Sequence, residues 1–280
     1  MQKIITALDG LNVSQSAIDY TIFIARHCNA HVVGVFLDDI TYHSYRFSEL
    51  ISENGGVTDN RILELNTRDK TKRDESVQVF EQACEQAGLE HAIHRDRNIA
   101  LQELLQESIY ADLLIIDCKE SFSRFEKEPP TEFLRDLLSD VQCPVLVVPP
   151  TYRPLEKLVF LYDGEPSSVH AVKMFSYLLP ELKYMETEVL SVKEQEAELH
   201  VPDNRLMKEF MRRHFPNADY TVLKGAVEEN IVKHLNLLQE DTLVVLGAYQ
   251  RSRVSRWFKP SMADHLIRNL KMPLFIAHNK

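Results

Sequence analysis

Two Asp-Gly turns and two long polar loops carry most of the chemistry available to this 280-residue chain. One apolar run ends in Asp9-Gly10 and another in Asp163-Gly164, each followed by a Ser and then a helical pattern. The loop from Gly247 to Ser261 holds Arg251, Arg253, Arg256 and Lys259 and no carboxylate, so its electrostatics suit an anion. Ser261 stands after Pro260 and before a helical pattern, the place of an N-cap, and a helix N-terminus favours negative charge. The competing reading is that these cations are solvated loop charges and that Ser261 only caps the helix. The loop after Asp117 has the opposite character: from Asp117 to Pro130 it carries four acidic and three basic residues. A carboxylate where phosphate would approach repels it, and a proline offers no N–H.

Other groupings point to less. His27-Cys28-Asn29-Ala30-His31 offers three potential metal ligands within five residues, but the helix is expected to end near Asn29, which spoils the i, i+4 geometry a metal needs. No metal ligands are therefore assigned. Cys28, Cys84, Cys118 and Cys143 all lie in the first half without a CxxC spacing and read as small core residues in a reducing compartment. Trp257 and Phe258 either cover a ligand or pack on the last helix, and packing is the plainer expectation. Nothing fixes a Ser-His-Asp arrangement, so no catalytic residue is assigned and an enzyme is the less favoured class.

The elements that must position these residues repeat. Lys3–Gly10 matches Lys157–Gly164, Ala111–Asp117 matches Asp241–Gly247, and Cys143–Pro149 matches Met272–His278, in the same order. The offsets are 154, 130 and 129 residues, so the first copy carries about 24 more between its first and fourth strands. The surplus is expected in 41–75, as a loop or an extended lead-in to a helix, and it either covers the first crevice or is a surface excursion. Strands are predicted near 3–8, 31–37, 90–95, 112–117 and 144–149, and near 157–162, 187–193, 219–224, 242–247 and 273–277. Helices are predicted near 14–28, 62–87, 98–110 and 131–140, and near 166–179, 202–214, 227–239 and 261–270. Such alternation means a parallel sheet with right-handed crossovers, an α/β fold. Runs such as Leu113–Ile116 and Leu243–Leu246 do not alternate, as strands covered on both faces should not. The short, stiff Pro149–Pro154 linker divides a domain at 1–150 from one at 151–280.

Bulk composition narrows the classes. Apolar residues make up 44% and charged residues 26%, which suits a globular chain. A formal charge of −10 argues against nucleic acid or an anionic membrane as partner, since both demand clustered Lys and Arg. No apolar run is long enough to span a membrane, and the opening MQKIITALDG lacks the pattern of a signal peptide. A cytoplasmic location is expected.

The opening strand ending in Asp-Gly, the ADLLII-type strand and the final CPVLVVP strand together resemble the universal stress protein family, in both halves of the chain. The resemblance implies two doubly wound five-stranded parallel sheets of order 3-2-1-4-5, related by a pseudo-twofold. It also implies that the fifth strands, Val145–Val148 and Leu274–Ala277, pair to make an intrachain pseudo-dimer. A homodimer of whole chains and an unidentified protein partner remain open. In nucleotide-binding members the implied motif after strand four is Gly-x2-Gly-x9-Gly-Ser/Thr, with the opening Asp on the base or ribose side. The first copy has Asp117, Glu120 and Pro130 at the glycine positions and only Thr131 at the hydroxyl. The second keeps Gly247 and Ser261 but has Gln250 and Pro260. A nucleotide site would therefore use Asp163, Gly247, Gln250, Arg251, Arg253 and Ser261. The leading expectation is a tandem, non-catalytic regulatory or binding protein of the stress response with a degenerate nucleotide motif. No cofactor is assigned with certainty. The rivals are an ATP-binding switch with slow hydrolysis, in the second copy only, and a purely structural interaction module.

Overall fold

The non-alternating apolar runs become parallel strands whose two faces are both covered. The computed structural model describes residues 3–37, 44–45, 49, 59–96, 99–123, 128–193, 200–238, 241–247 and 262–278. The first half supplies β1 (Lys3–Leu8), β2 (His31–Leu37), β3 (His91–Asp96), β4 (Leu113–Asp117) and β5 (Val145–Val148). The second supplies β6 (Lys157–Leu161), β7 (Glu186–Lys193), β8 (Ala218–Lys224), β9 (Thr242–Gly247) and β10 (Leu274–Ala277). Between them run α1 (Gln15–Cys28), α2 (Asp59–Ala87), α3 (Ala100–Ser108), α4 (Glu132–Asp140), α5 (Pro166–Leu178), α6 (Asn204–His214), α7 (Val227–Leu235) and α8 (Met262–Asn269).

All ten strands form one sheet in the order β3-β2-β1-β4-β5-β10-β9-β6-β7-β8. Each half thus shows the 3-2-1-4-5 order, and the halves mirror each other across β5 and β10. Among the described strands that central pair alone is antiparallel, with Val147 opposite Leu274, Leu146 opposite Phe275 and Val145 opposite Ile276. Successive strand residues point to opposite faces, so each strand feeds two cores. Ile4, Leu113, Phe160 and Phe275 face the layer of α1, α2, α5 and α6. Ile5, Leu114, Val159 and Ile276 face the layer of α3, α4, α7 and α8. Both cores run uninterrupted from the first half into the second.

Local chemistry sets the helix ends. Ser14 caps α1 by accepting from the Ala17 N–H at 3.2 Å, and Asn29 closes it in the left-handed conformation at φ 48°. Thr131 caps α4 through the Leu134 N–H at 3.1 Å. The surplus of the first copy is in part helix: α2 has 29 residues and its counterpart α6 has 11. Along α2 only Leu65, Asp69, Ser76, Phe80 and Cys84 are buried, a stripe at four- and seven-residue intervals that marks one face. Side chains also tie the halves together. Tyr20 meets Tyr152 edge to face at 4.8 Å and its hydroxyl accepts from the Arg153 N–H at 3.3 Å.

Candidate site: two unequal crevices at the strand ends

In a doubly wound sheet the strand order reverses between the first and fourth strands, and ligands bind at their carboxyl ends. In the first half this crevice is a cavity of about 820 Å³. Asp9, just beyond β1, turns its carboxylate back onto the Leu11 N–H at 2.7 Å. Asp117, the last residue of β4, accepts from Ser14 Oγ at 2.6 Å and from the Lys119 N–H at 2.8 Å. One carboxylate thereby ties the end of β4 to the cap of α1.

Glu120 is 9% exposed, and its carboxyl group accepts from the N–H groups of Ser121 and Phe122 at 2.9 and 3.0 Å. Burial, and then the nearby carboxylates of Asp9 and Asp117, push its pKa up to about 8. It is therefore largely protonated at neutral pH. Thr131, at the hydroxyl position of the motif, is already engaged. It donates to Glu120 O at 2.5 Å while accepting from the Leu134 N–H. Carboxyl groups at two glycine positions and a hydroxyl occupied in capping leave the described residues of this crevice without the N–H cradle a phosphate needs.

Two residues of the 41–75 segment, Ser44 and Lys72, line the same cavity. Asp69 holds Ser44 through both its N–H, at 3.0 Å, and its hydroxyl, and Ser76 Oγ donates to Gly10 O at 2.8 Å. The added part of α2 is thus a wall of the first crevice. Sequence reasoning missed Ser14, Ser44 and Lys72: Ser44 and Lys72 come from far along the chain, and the partner of Ser14, Asp117, is 103 residues away. The only local signal was Ser14 standing before a helical pattern.

In the second half Asp163 is exposed and accepts from the Glu165 N–H at 2.9 Å. Gly247 closes β9, and a Cβ there would lie 2.4 Å from the carbonyl oxygen of Ser167 in the first turn of α5. Gly164 has φ +91°, and a Cβ on it would meet Pro202 Cβ at 2.8 Å. Both glycines answer to close backbone packing. Asp163 and Gly247 therefore stand at the carboxyl ends of the adjacent strands β6 and β9. Gln250, Arg251, Arg253 and Ser261, with the rest of the basic loop, lie outside the described residues.

The remaining groupings are structural where they are described. His27 Nδ1 donates to Phe23 O at 2.8 Å and Cys28 Sγ to Ile24 O at 3.0 Å, so both bond along their own helix. Burial pushes the Cys84 thiol up to about 11 and the Cys118 thiol up to about 12, which keeps both as unreactive thiols at neutral pH. Among the described residues no helix is long and apolar enough to cross a membrane.

No protein-family model and no curated protein matches the sequence. Solved structures do match. A universal stress protein from Archaeoglobus fulgidus DSM 4304 superposes with a TM-score of 0.71 at 15% identity, covering 99% of this chain and 98% of that one. A functionally unknown protein from Pseudomonas aeruginosa PAO1 gives 0.62 at 14% identity, covering 99% and 92%. The fold is accordingly that of the universal stress proteins, over the full length of the chain.

Proposed function

We propose that this chain is a tandem universal stress protein, with domains at residues 1–150 and 151–280 derived from one duplicated unit. It acts as a non-catalytic binding or regulatory protein of the stress response. The observation that carries the non-nucleotide reading is the first crevice, where Asp117 and Glu120 replace glycines and Thr131 is taken up in capping. In the second half, close packing against Ser167 accounts for Gly247 without a ligand. The antiparallel pairing of β5 with β10 supports reading the chain as a built-in dimer. A cytoplasmic location and a further association of two chains belong to the same proposal.

Thermal unfolding of the purified protein with and without millimolar ATP–Mg²⁺ tests it. Ligand at 100 times its dissociation constant would stabilise the protein by about 2.7 kcal/mol. The expected result is no shift. A shift would overturn the non-nucleotide reading in favour of an ATP switch in the second half, built from Asp163, Gly247, Gln250, Arg251, Arg253 and Ser261. Its loss in Ser261→Ala or Arg251→Ala would then locate the nucleotide in that loop.

A further inference from the structure

The second half contains a cavity that the reading above does not use. It lies between α5 and α6, is lined also by Tyr162, Gly164 and Pro166 of the segment that follows β6, and has a volume of about 720 Å³. Small-molecule sites commonly span roughly 300–1,000 Å³ and combine an apolar lining with a few convergent polar groups. Here Val169, Met207 and Phe210 form the apolar lining, with Met207 only 2% exposed, and Leu206 stands at the rim.

Polar groups gather at one end. Lys173 of α5 and Arg213 of α6 are both exposed, and neither side chain forms an ion pair or hydrogen bond with another described residue. His214 joins them, its ring packed on Phe210 at 4.4 Å and its Nδ1 bonded to Ser176 Oγ at 2.6 Å. Burial and then the Lys173 charge hold His170 and His214 below the ordinary histidine pKa. The fixed positive charge therefore belongs to Lys173 and Arg213. Asp203 lies ten residues before Arg213, about 15 Å away along α6 at 1.5 Å per residue, and so at the other end. Glu209, one turn before Arg213, forms no ion pair with it.

The corresponding place in the first half is built differently. There the 29-residue α2 packs along α1, and the buried Ser76 bonds to Gly10. The short α6 leaves the flank of α5 open beside Gly164. An apolar trough with an ammonium and a guanidinium that form no ion pair among the described residues is complementary to an organic anion. A carboxylate takes charge-assisted bonds from both cations, and Arg offers it a two-pronged donor.

We propose that the α5–α6 cavity binds an organic anion with an apolar body, of the size of an aryl or medium-chain alkyl carboxylate. The anionic group sits between Lys173 and Arg213 and the body lies over Val169, Met207 and Phe210.

The test uses the intact protein and the fluorescent anion 8-anilinonaphthalene-1-sulfonate, displaced by decanoate or by decanol. The expected result is saturable binding at one site, displaced at least tenfold more effectively by decanoate than by decanol. The charge-reversed double variant Lys173→Glu, Arg213→Glu alters two exposed side chains, so its melting temperature should stay near that of the parent. Its affinity for the probe should fall at least tenfold. Binding that does not saturate, equal displacement by the alcohol, or unchanged affinity in a folded charge-reversed variant would each overturn the proposal.

Discussion

At the scale of single residues, Glu120 and Gly247 make opposite demands on their surroundings. Glu120 has a folded pKa of about 8, against roughly 4.3 for a free glutamate. The folded state holds the proton more tightly than the unfolded chain, so stability is greatest below the unfolded value. It falls as pH rises through the interval up to about 8, and then levels off. Glu120→Gln should match the parent near pH 4.5 and exceed it by on the order of 2–5 kcal/mol at pH 9. Urea unfolding across that range checks this, and parallel pH profiles would refute it. Gly247 instead needs the absence of a side chain, since the Ser167 carbonyl occupies the place of its Cβ. Gly247→Ala should cost about 1–3 kcal/mol by overpacking, without ligand present. A shifted denaturant midpoint at unchanged m-value would report it.

Among the elements, the caps of α1 and α4 do more than end helices. Ser14 caps α1 and also binds Asp117 of β4, and Thr131 caps α4 and also binds the backbone of Glu120. Thr131→Ala should therefore cost about 1–2 kcal/mol, the upper range for a lost cap. Amide exchange should rise both in the first turn of α4 and around Glu120, whereas Thr131→Ser should retain most of the protection. The long α2 gives the first half a wall over its crevice, and the short α6 leaves the second half with an open trough beside α5. One scaffold thus holds two unlike cavities because its second helix differs in length.

For the whole molecule, the decisive feature is the β5–β10 junction. Both cores cross it, and Phe275 of β10 packs edge to face on Phe175 at 5.1 Å. The full chain should unfold in one cooperative transition by far- and near-ultraviolet circular dichroism. Residues 1–150 and 151–280 expressed separately would each expose a strand edge and part of the cores. They should self-associate in sedimentation velocity and recombine when mixed. A monomeric half as stable as the full chain would show that the junction is dispensable.

Much of the architecture was legible in periodicity. Leu113–Ile116 and Leu243–Leu246 lack alternation because helices cover both faces of their strands, and that pattern survives in one dimension. The end of α1 near Asn29 was also legible, because a helix terminus depends on residues a few positions apart, as the caps at Ser14 and Thr131 do. The strand order, drawn from the likeness of the two halves to a known family, was found twice over. The glycines were harder to interpret. Gly247 reads in the sequence as a remnant of a phosphate loop, and only the approach of Ser167 from a different element supplies its packing role. The proton held by Glu120, the wall that Lys72 adds to the first crevice, and the presence of Lys173 and Arg213 in the lining of one cavity have the same origin. Local order depends on neighbours a few positions apart and is written in the residue pattern. Burial, shifted acidity and convergent charge depend on groups that the folded chain alone brings within reach.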